Sequence, residues 1–332
     1  MDGRGRKRKI DEVKNLEPSG LNFVKYSVLV SDLRDHVLSY CYSATLFNYS
    51  QCSHYCNSEV KKFNTKAPTI LLITECDDGS ILVEVSYSKD YKTAAPDYFE
   101  KTFLLSTFKE TMENVQQYLF SLHRYVKNGK IGKLSISLQK WPTKFMQNRG
   151  MTEIGDMTVY IQNSMLDDFV EFGRTSNVRV QNLTLDGKNG QEIIRKDDAK
   201  QIFNSAFFQQ LSKWEISLEC EIDDDDFLGF KNPKIELWMK NCMISDNAIR
   251  EKVAQMNSRY GNFEIVIDVS HESTRVFDLY VIFPDVNSGR FNPPSTVLFL
   301  GGVAIIMPKT TKGKYLTLRK FETVNNDIDE EQ

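Results

Sequence analysis

The chain has few of the features by which a sequence usually declares its chemistry. Its 332 residues include four histidines and six cysteines, and lysine plus arginine nearly balance the acids at a formal net charge of −3. Such a balance supplies no overall field to gather nucleic acid or an anionic membrane. No run reaches the roughly 18 apolar residues that a membrane-spanning helix needs. The longest candidate, 296–308, is too short and carries Gly301 and Gly302. There is no phosphate-loop signature, no His-Glu-x-x-His, no Gly-x-Ser-x-Gly and no paired-cysteine motif, so the usual phosphate, zinc-hydrolase and serine-hydrolase readings have nothing to rest on. The charged start from Asp2 to Lys9 has no apolar segment behind it. No signal peptide is expected, and the expected location is cytoplasmic or nuclear. In such a reducing compartment Cys41, Cys52, Cys56, Cys76, Cys220 and Cys242 read as small buried apolar groups, not as a disulfide framework.

What is present is core-forming material. Hydrophobic residues make up 41% of the chain and aromatics 11%, enough for two or three domains. Residues 1–20 read as a disordered basic arm; Arg4, Arg6, Lys7, Arg8 and Lys9 form a short run of a kind common in solvated tails, and nucleic-acid or nuclear-import readings have only this run behind them. Residues 323–332 form an acidic tail. From Leu33 to Phe63 apolar residues fall at helical spacing, which predicts three short helices, with 65–68 as a linker.

The character then changes. Residues 69–75 and 80–88 predict two strands around Asp77-Asp78-Gly79, an Asp-Gly hairpin signal. Thr107 and Glu110 suggest a capping box for a helix whose buried face is Met112, Val115, Leu119, Leu122 and Val126. Beyond Gly132 strands and helices alternate. The strands centre on Ile136, Val159, Leu183, Ile216, Leu237 and Ile265, and the helices carry Phe169 and Phe172, Ile202 and Phe203, and Ile249 and Val253. The strands lie about 20 to 35 residues apart, near the period of leucine-rich repeats but less regular. Stacked units of this kind predict an irregular α/β solenoid or a curved sheet with helices outside. Residues 279–283, 303–307 and 315–321 are expected to be closing strands.

Each candidate chemical site has a plain competitor. Cys41, Cys52, His54 and Cys56 hold zinc-ligand types. On a helix, however, His54 points about 200° away from Cys52 and Cys56, so packed thiols are expected and no metal is assigned. No sequence feature brings His36, His54, His123 or His271 to a thiol, and no catalytic residue is assigned. Gly129 and Gly132 are too close together for a phosphate loop and read as a turn into a strand at Leu134. Four consecutive aspartates, Asp223 to Asp226, lack the alternation of a calcium loop and read as a solvated loop. No cofactor is expected.

The helical stretch carries a resemblance. The segment "LRDHVLSYCYSATLFNYSQCSHYCNSEVKKF" resembles the F-box of the nematode-type F-box proteins that carry an F-box-associated domain. It matches at Val37-Leu38, Leu46-Phe47-Asn48, Ser50, Cys52-Ser53, Cys56, Ser58 and Val60-Lys61-Lys62-Phe63. It departs at Leu29-Val30, where the family has Leu-Pro, and at His54-Tyr55, where it has a basic pair. The segments "ELWMKNCMISDNAIREKVAQM" and "GGVAIIMPKTTKGKYLTLRKF" are similar to a strand-then-helix step and the closing strand pair of the associated domain. The resemblance implies an F-box at 21–64, an associated domain at 66–322, and no enzymatic activity in the chain itself. It implies docking to a Skp-type adaptor of a cullin ubiquitin ligase through Leu33, Val37, Leu38, Leu46, Phe47, Cys52, Cys56 and Val60, divided between a helical core and the adaptor surface. A protein target of unknown identity is implied for the rest. The alternative is an interaction scaffold whose F-box no longer engages an adaptor.

Overall fold

The structure, a computed structural model, describes residues 31–60, 68–87, 98–104, 108–123, 130–146, 153–162, 165–187, 193–239, 242–270, 273–284, 295–300, 303–308 and 314–320. The basic arm, the linker up to residue 67, Thr107 of the expected capping box, Val126, Gly129, His271 and the acidic tail lie outside these. The architecture is mixed α/β. The chain divides into two compact units: described residues through Met157 together with Ser176–Arg179, and Thr158–Thr175 together with described residues from Val180 onward.

The first unit begins with three short helices, α1 (Ser31–Ser39), α2 (Ser43–Ser50) and α3 (His54–Val60), where the 3.6-residue spacing predicts them. The hairpin β1 (Ile70–Glu75) and β2 (Ile81–Ser86) follows. Ile70, Ile73, Ile81, Val83 and Val85 are buried. Gly79 holds φ +79°, a left-handed geometry that suits glycine, and the Ser80 amide donates to Asp78 Oδ1 at 2.9 Å. β3 (Tyr98–Phe103) pairs antiparallel with β2; its alternation is too weak to predict from sequence, since none of its six side chains is fully buried. Helix α4 (Phe108–His123) turns Met112, Val115, Tyr118 and Leu119 inward.

β4 (Lys130–Ser137) lies parallel to β1. It begins four residues before Leu134, so Gly132 is not a turn into the strand but a position within it. A β-carbon at Gly132 would stand 2.5 Å from the Thr69 carbonyl oxygen, and one at Gly155 would stand 2.6 Å from the Gly132 carbonyl oxygen. Glycine here permits close approach of backbones, a standard reason for glycine inside a strand. The short helix α5 (Thr143–Met146) and β5 (Glu153–Ile161) follow.

The second unit opens on α6 (Leu166–Thr175) and β6 (Arg179–Gly187). Next come the short bridge strand β7 (Ile193–Ile194), α7 (Lys196–Phe203), α8 (Ala206–Gln209), β8 (Lys213–Ser217) and β9 (Glu219–Cys220), which pairs with β7. Helix α9 (Asp224–Gly229), β10 (Lys234–Met239), α10 (Asp246–Arg259) and β11 (Phe263–Val269) complete the alternating part. β6, β8, β10 and β11 are parallel neighbours in that order. β6, β8 and β10 alternate buried and less buried residues, so one face of each carries most of its apolar side chains.

After α11 (Leu279–Ile282) the chain closes with β12 (Ser295–Leu300), β13 (Val303–Pro308) and β14 (Tyr315–Lys320). β14 pairs antiparallel with β11, and β13 and β12 continue outward. The sheet is therefore mixed. Residues 279–282 are helical, against the expectation of a strand, because the Asp278 carboxylate accepts from the Tyr280 and Val281 amides and caps a turn.

The aspartate run is a second correction. Asp223 is the N-cap of α9 and forms a capping box with Asp226, and Asp224 to Asp226 make its first turn, where the helix dipole favours negative charge. Asp224 also accepts from the Ser245 amide and hydroxyl, both at 2.7 Å. Ser245 in turn caps α10.

The core of this unit is aromatic. Phe203, Phe208, Trp214 and Phe230 pack with ring centroids 4.8–6.3 Å apart, within the range where edge-to-face pairs add to area burial. Asn232, fully buried, donates to the Phe208 and Leu211 carbonyls at 2.9 Å each.

Candidate functional site

The residues implied as an adaptor surface are divided by the fold. Leu38, Leu46 and Val60 are at most 1% exposed, and Phe47 is buried at 9%. Leu33 is exposed, and Val37, Cys52 and Cys56 are half-buried. Leu33, Val37 and Tyr40 are spaced i, i+4, i+7 along α1 and the turn after it, with Leu33 52% and Tyr40 75% exposed. They form a partly uncovered apolar stripe on one helix face. Tyr55 is also exposed, yet its hydroxyl donates to Glu59 Oε1 at 2.6 Å. Tyr49 donates to Glu59 Oε2 at 3.2 Å, so this buried carboxylate ties α2 to α3.

The buried half is covered by elements of the same unit that lie downstream. Tyr42 stacks on Tyr87 with centroids 4.3 Å apart. The Ala44 amide donates to the Tyr87 hydroxyl at 2.9 Å. Phe47 meets Tyr118 of α4 edge to face at 5.0 Å.

Of the six thiols, Cys41 and Cys220 are buried as the sequence leads one to expect, while Cys52, Cys56, Cys76 and Cys242 are half-buried. Burial pushes the Cys41 thiol up to about 11 and raises Cys52, where Cys56 adds to the effect. Burial likewise raises Cys220 and Cys242. A thiol held protonated is a poor nucleophile and a poor metal ligand. Among the described residues no group of three or more His, Cys, Asp or Glu is placed to hold a metal ion. Among them, too, no helix is long and apolar enough to cross a membrane.

Beside Phe47 lies a cavity of about 200 Å³, lined by Phe47, Gln51, Lys101, Phe103, Asn114, Gln117 and Tyr118. Lys101 Nζ stands 4.8 Å from the Tyr118 ring centroid, 5.3 Å from Phe103 and 5.5 Å from Phe47. Desolvation by these surroundings holds the Lys101 pKa below the usual lysine range. Burial, with Tyr87 adding to it, raises that of the Tyr118 phenol, which stays neutral at physiological pH.

Apart from Phe47, none of these cavity residues stands out in the sequence, because β3 carries no strong alternation and Tyr118 reads as part of an ordinary buried helix face. The signal that finds them is three-dimensional: a lysine whose ammonium stands among three rings. Compared with known proteins, the chain matches no family model, no curated protein and no solved structure.

Proposed function

We propose that the chain is a non-catalytic recognition subunit of a cullin-type ubiquitin ligase, with residues 31–60 docking a Skp-type adaptor and the later strand and helix units, read as an irregular repeat array, holding a protein target. The observation that carries this reading is the partly exposed stripe Leu33, Val37 and Tyr40 within a segment that resembles an F-box. An apolar helix face left toward solvent is a docking surface for a partner that covers it. The mechanism is tethering: target and ligase held on one scaffold react as if at high local concentration. The chain itself supplies no bond-breaking group in this reading.

The test is affinity for purified Skp-type adaptor. Leu33→Asp combined with Tyr40→Asp changes only exposed positions and is expected to abolish binding while the thermal melt is retained. A wild-type chain that does not bind adaptor, or a double variant that binds as well as wild type, overturns the proposal. A second reading, a scaffold without adaptor, is favoured by the burial of Leu38, Leu46, Phe47 and Val60, with Phe47 packed against Tyr118 of α4. It predicts partner binding whose turnover is unaffected by ligase inhibition.

A further inference from the structure

Three buried or partly buried cations among the described residues are matched by acceptors. Arg275 donates to both Asp246 oxygens, at 2.6 and 3.2 Å. Lys213 Nζ is 3.2 Å from Glu236. Lys252 donates to the Leu228 carbonyl at 3.1 Å and to the Phe230 carbonyl. Lys101, an exposed residue of β3, is set differently: among the described residues its Nζ has three ring faces and neither a carboxylate nor a carbonyl. Ring quadrupoles attract an ammonium, but they leave its three N–H donors to water or to a ligand that displaces it.

Among the described residues that line the cavity beside Lys101 there is no acid. The carboxamide nitrogens of Asn114 and Gln51 are already engaged, with the Glu110 carbonyl at 2.9 Å and the Ser50 hydroxyl at 3.2 Å. Lys101 is the one cationic donor among the described residues of the lining. At about 200 Å³ the space is below the roughly 300–1,000 Å³ of pockets that take drug-sized ligands, and it suits a side chain or a small acid. Its aromatic walls suit methylenes.

We propose that the cavity between α2, β3 and α4 binds an aliphatic carboxylate, with the Lys101 ammonium as its counter-charge and the rings of Phe47, Phe103 and Tyr118 packing on its methylenes. The carboxylate is supplied either by a free small acid or by a glutamate side chain of a bound peptide. The site goes beyond the adaptor reading and stands or falls separately from it.

The test is titration of the full chain with three probes, followed by calorimetry and by amide chemical shifts. The probes are glutarate, its neutral diamide, and a capped glycine-rich peptide with one central glutamate. Saturable binding of glutarate or of the peptide, with none of the diamide, is expected. Binding of the peptide alone assigns the site to a protein partner, and binding of glutarate alone to a small acid. Lys101→Met should weaken binding by about tenfold or more, the loss of a charged hydrogen bond, and Lys101→Arg should retain most of it. If neither acid binds, or if Lys101→Met binds as tightly as wild type, the site is refuted. Should Lys101→Met fail to fold, the wild-type chain still decides the matter, because equal uptake of glutarate and its diamide refutes a site built on charge.

Discussion

The Tyr87 hydroxyl accepts a hydrogen bond from the Ala44 amide at 2.9 Å, across 43 residues of sequence. Ala44 lies in the first turn of α2, where backbone N–H groups have no intrahelical partner. The local N-cap position, Tyr42, offers no side-chain cap. The acceptor that the local sequence lacks thus comes from the end of the β1–β2 hairpin. Tyr87→Phe keeps the ring stacked on Tyr42 and removes that acceptor, so it should cost about 0.5–2 kcal/mol, the usual loss for a helix cap. Hydrogen exchange at α2 should rise while β1 and β2 are unchanged. If the buried Leu46 and Phe47 belong to the adaptor surface, the same variant should bind adaptor more tightly. If Leu33 and Tyr40 carry the docking, affinity should not move.

Lys252 is 1% exposed, and desolvation lowers its pKa to about 8, with Arg259 adding to the effect. Its folded value lies below that of the unfolded chain, so burying the ammonium destabilises the fold fully below about pH 8. That cost fades as pH rises toward the ordinary lysine value, by about 3 kcal/mol in all. The buried Cys41 thiol acts in the opposite sense, because a pKa raised to about 11 favours the unfolded chain once free thiols ionise. The informative quantity is therefore a difference. Relative to Lys252→Met, wild type should gain stability between pH 7.5 and 9.5 in urea unfolding. A constant difference would contradict this account.

Gly132→Ala places a methyl 2.5 Å from the Thr69 carbonyl oxygen, a backbone atom that cannot swing away. The expected loss is about 1–3 kcal/mol, as for overpacking elsewhere. Gly79→Ala meets no atom within 4 Å, but it must hold φ +79°, at a cost of about 1–2 kcal/mol. Denaturant midpoints of the two variants separate steric from torsional strain.

Asp224→Ala removes the acceptor of two 2.7 Å hydrogen bonds from Ser245. It should destabilise by about 1–3 kcal/mol, whereas Asp225→Ala, exposed in the same turn, should be near neutral. Equal melting temperatures for the two variants would show that the aspartate run acts as bulk charge, not as a joint between α9 and α10.

How far the sequence reaches can be judged residue by residue. The period-2 runs around Ile73, Ile136, Leu183 and Ile265 and the 3.6-residue spacing at Val115, Phe169 and Ile249 locate the strands and helices that form there. Local pattern fails where the deciding partner is remote. It fails also where a capping side chain outweighs an apolar run, as Asp278 does at 279–282, and where a strand such as β3 has no fully buried side chain and carries no period to read. The lining of the Lys101 cavity comes from three separated segments, so no motif spans it.

The sequence alone determined most of the segments that become strands and helices, though not β3 or the turn at 279–282, because that depends on the alternation of apolar residues over a few neighbours. It also carried the F-box likeness. Tertiary structure decided which of the apolar helical residues remain uncovered. Leu38 and Leu46 are buried while Leu33 and Tyr40 face solvent, although Leu33, Leu38 and Leu46 are the same residue type. The reason is that burial depends on what packs above a face, and the covering Tyr87 and Tyr118 reach α2 only after the chain has folded back on itself.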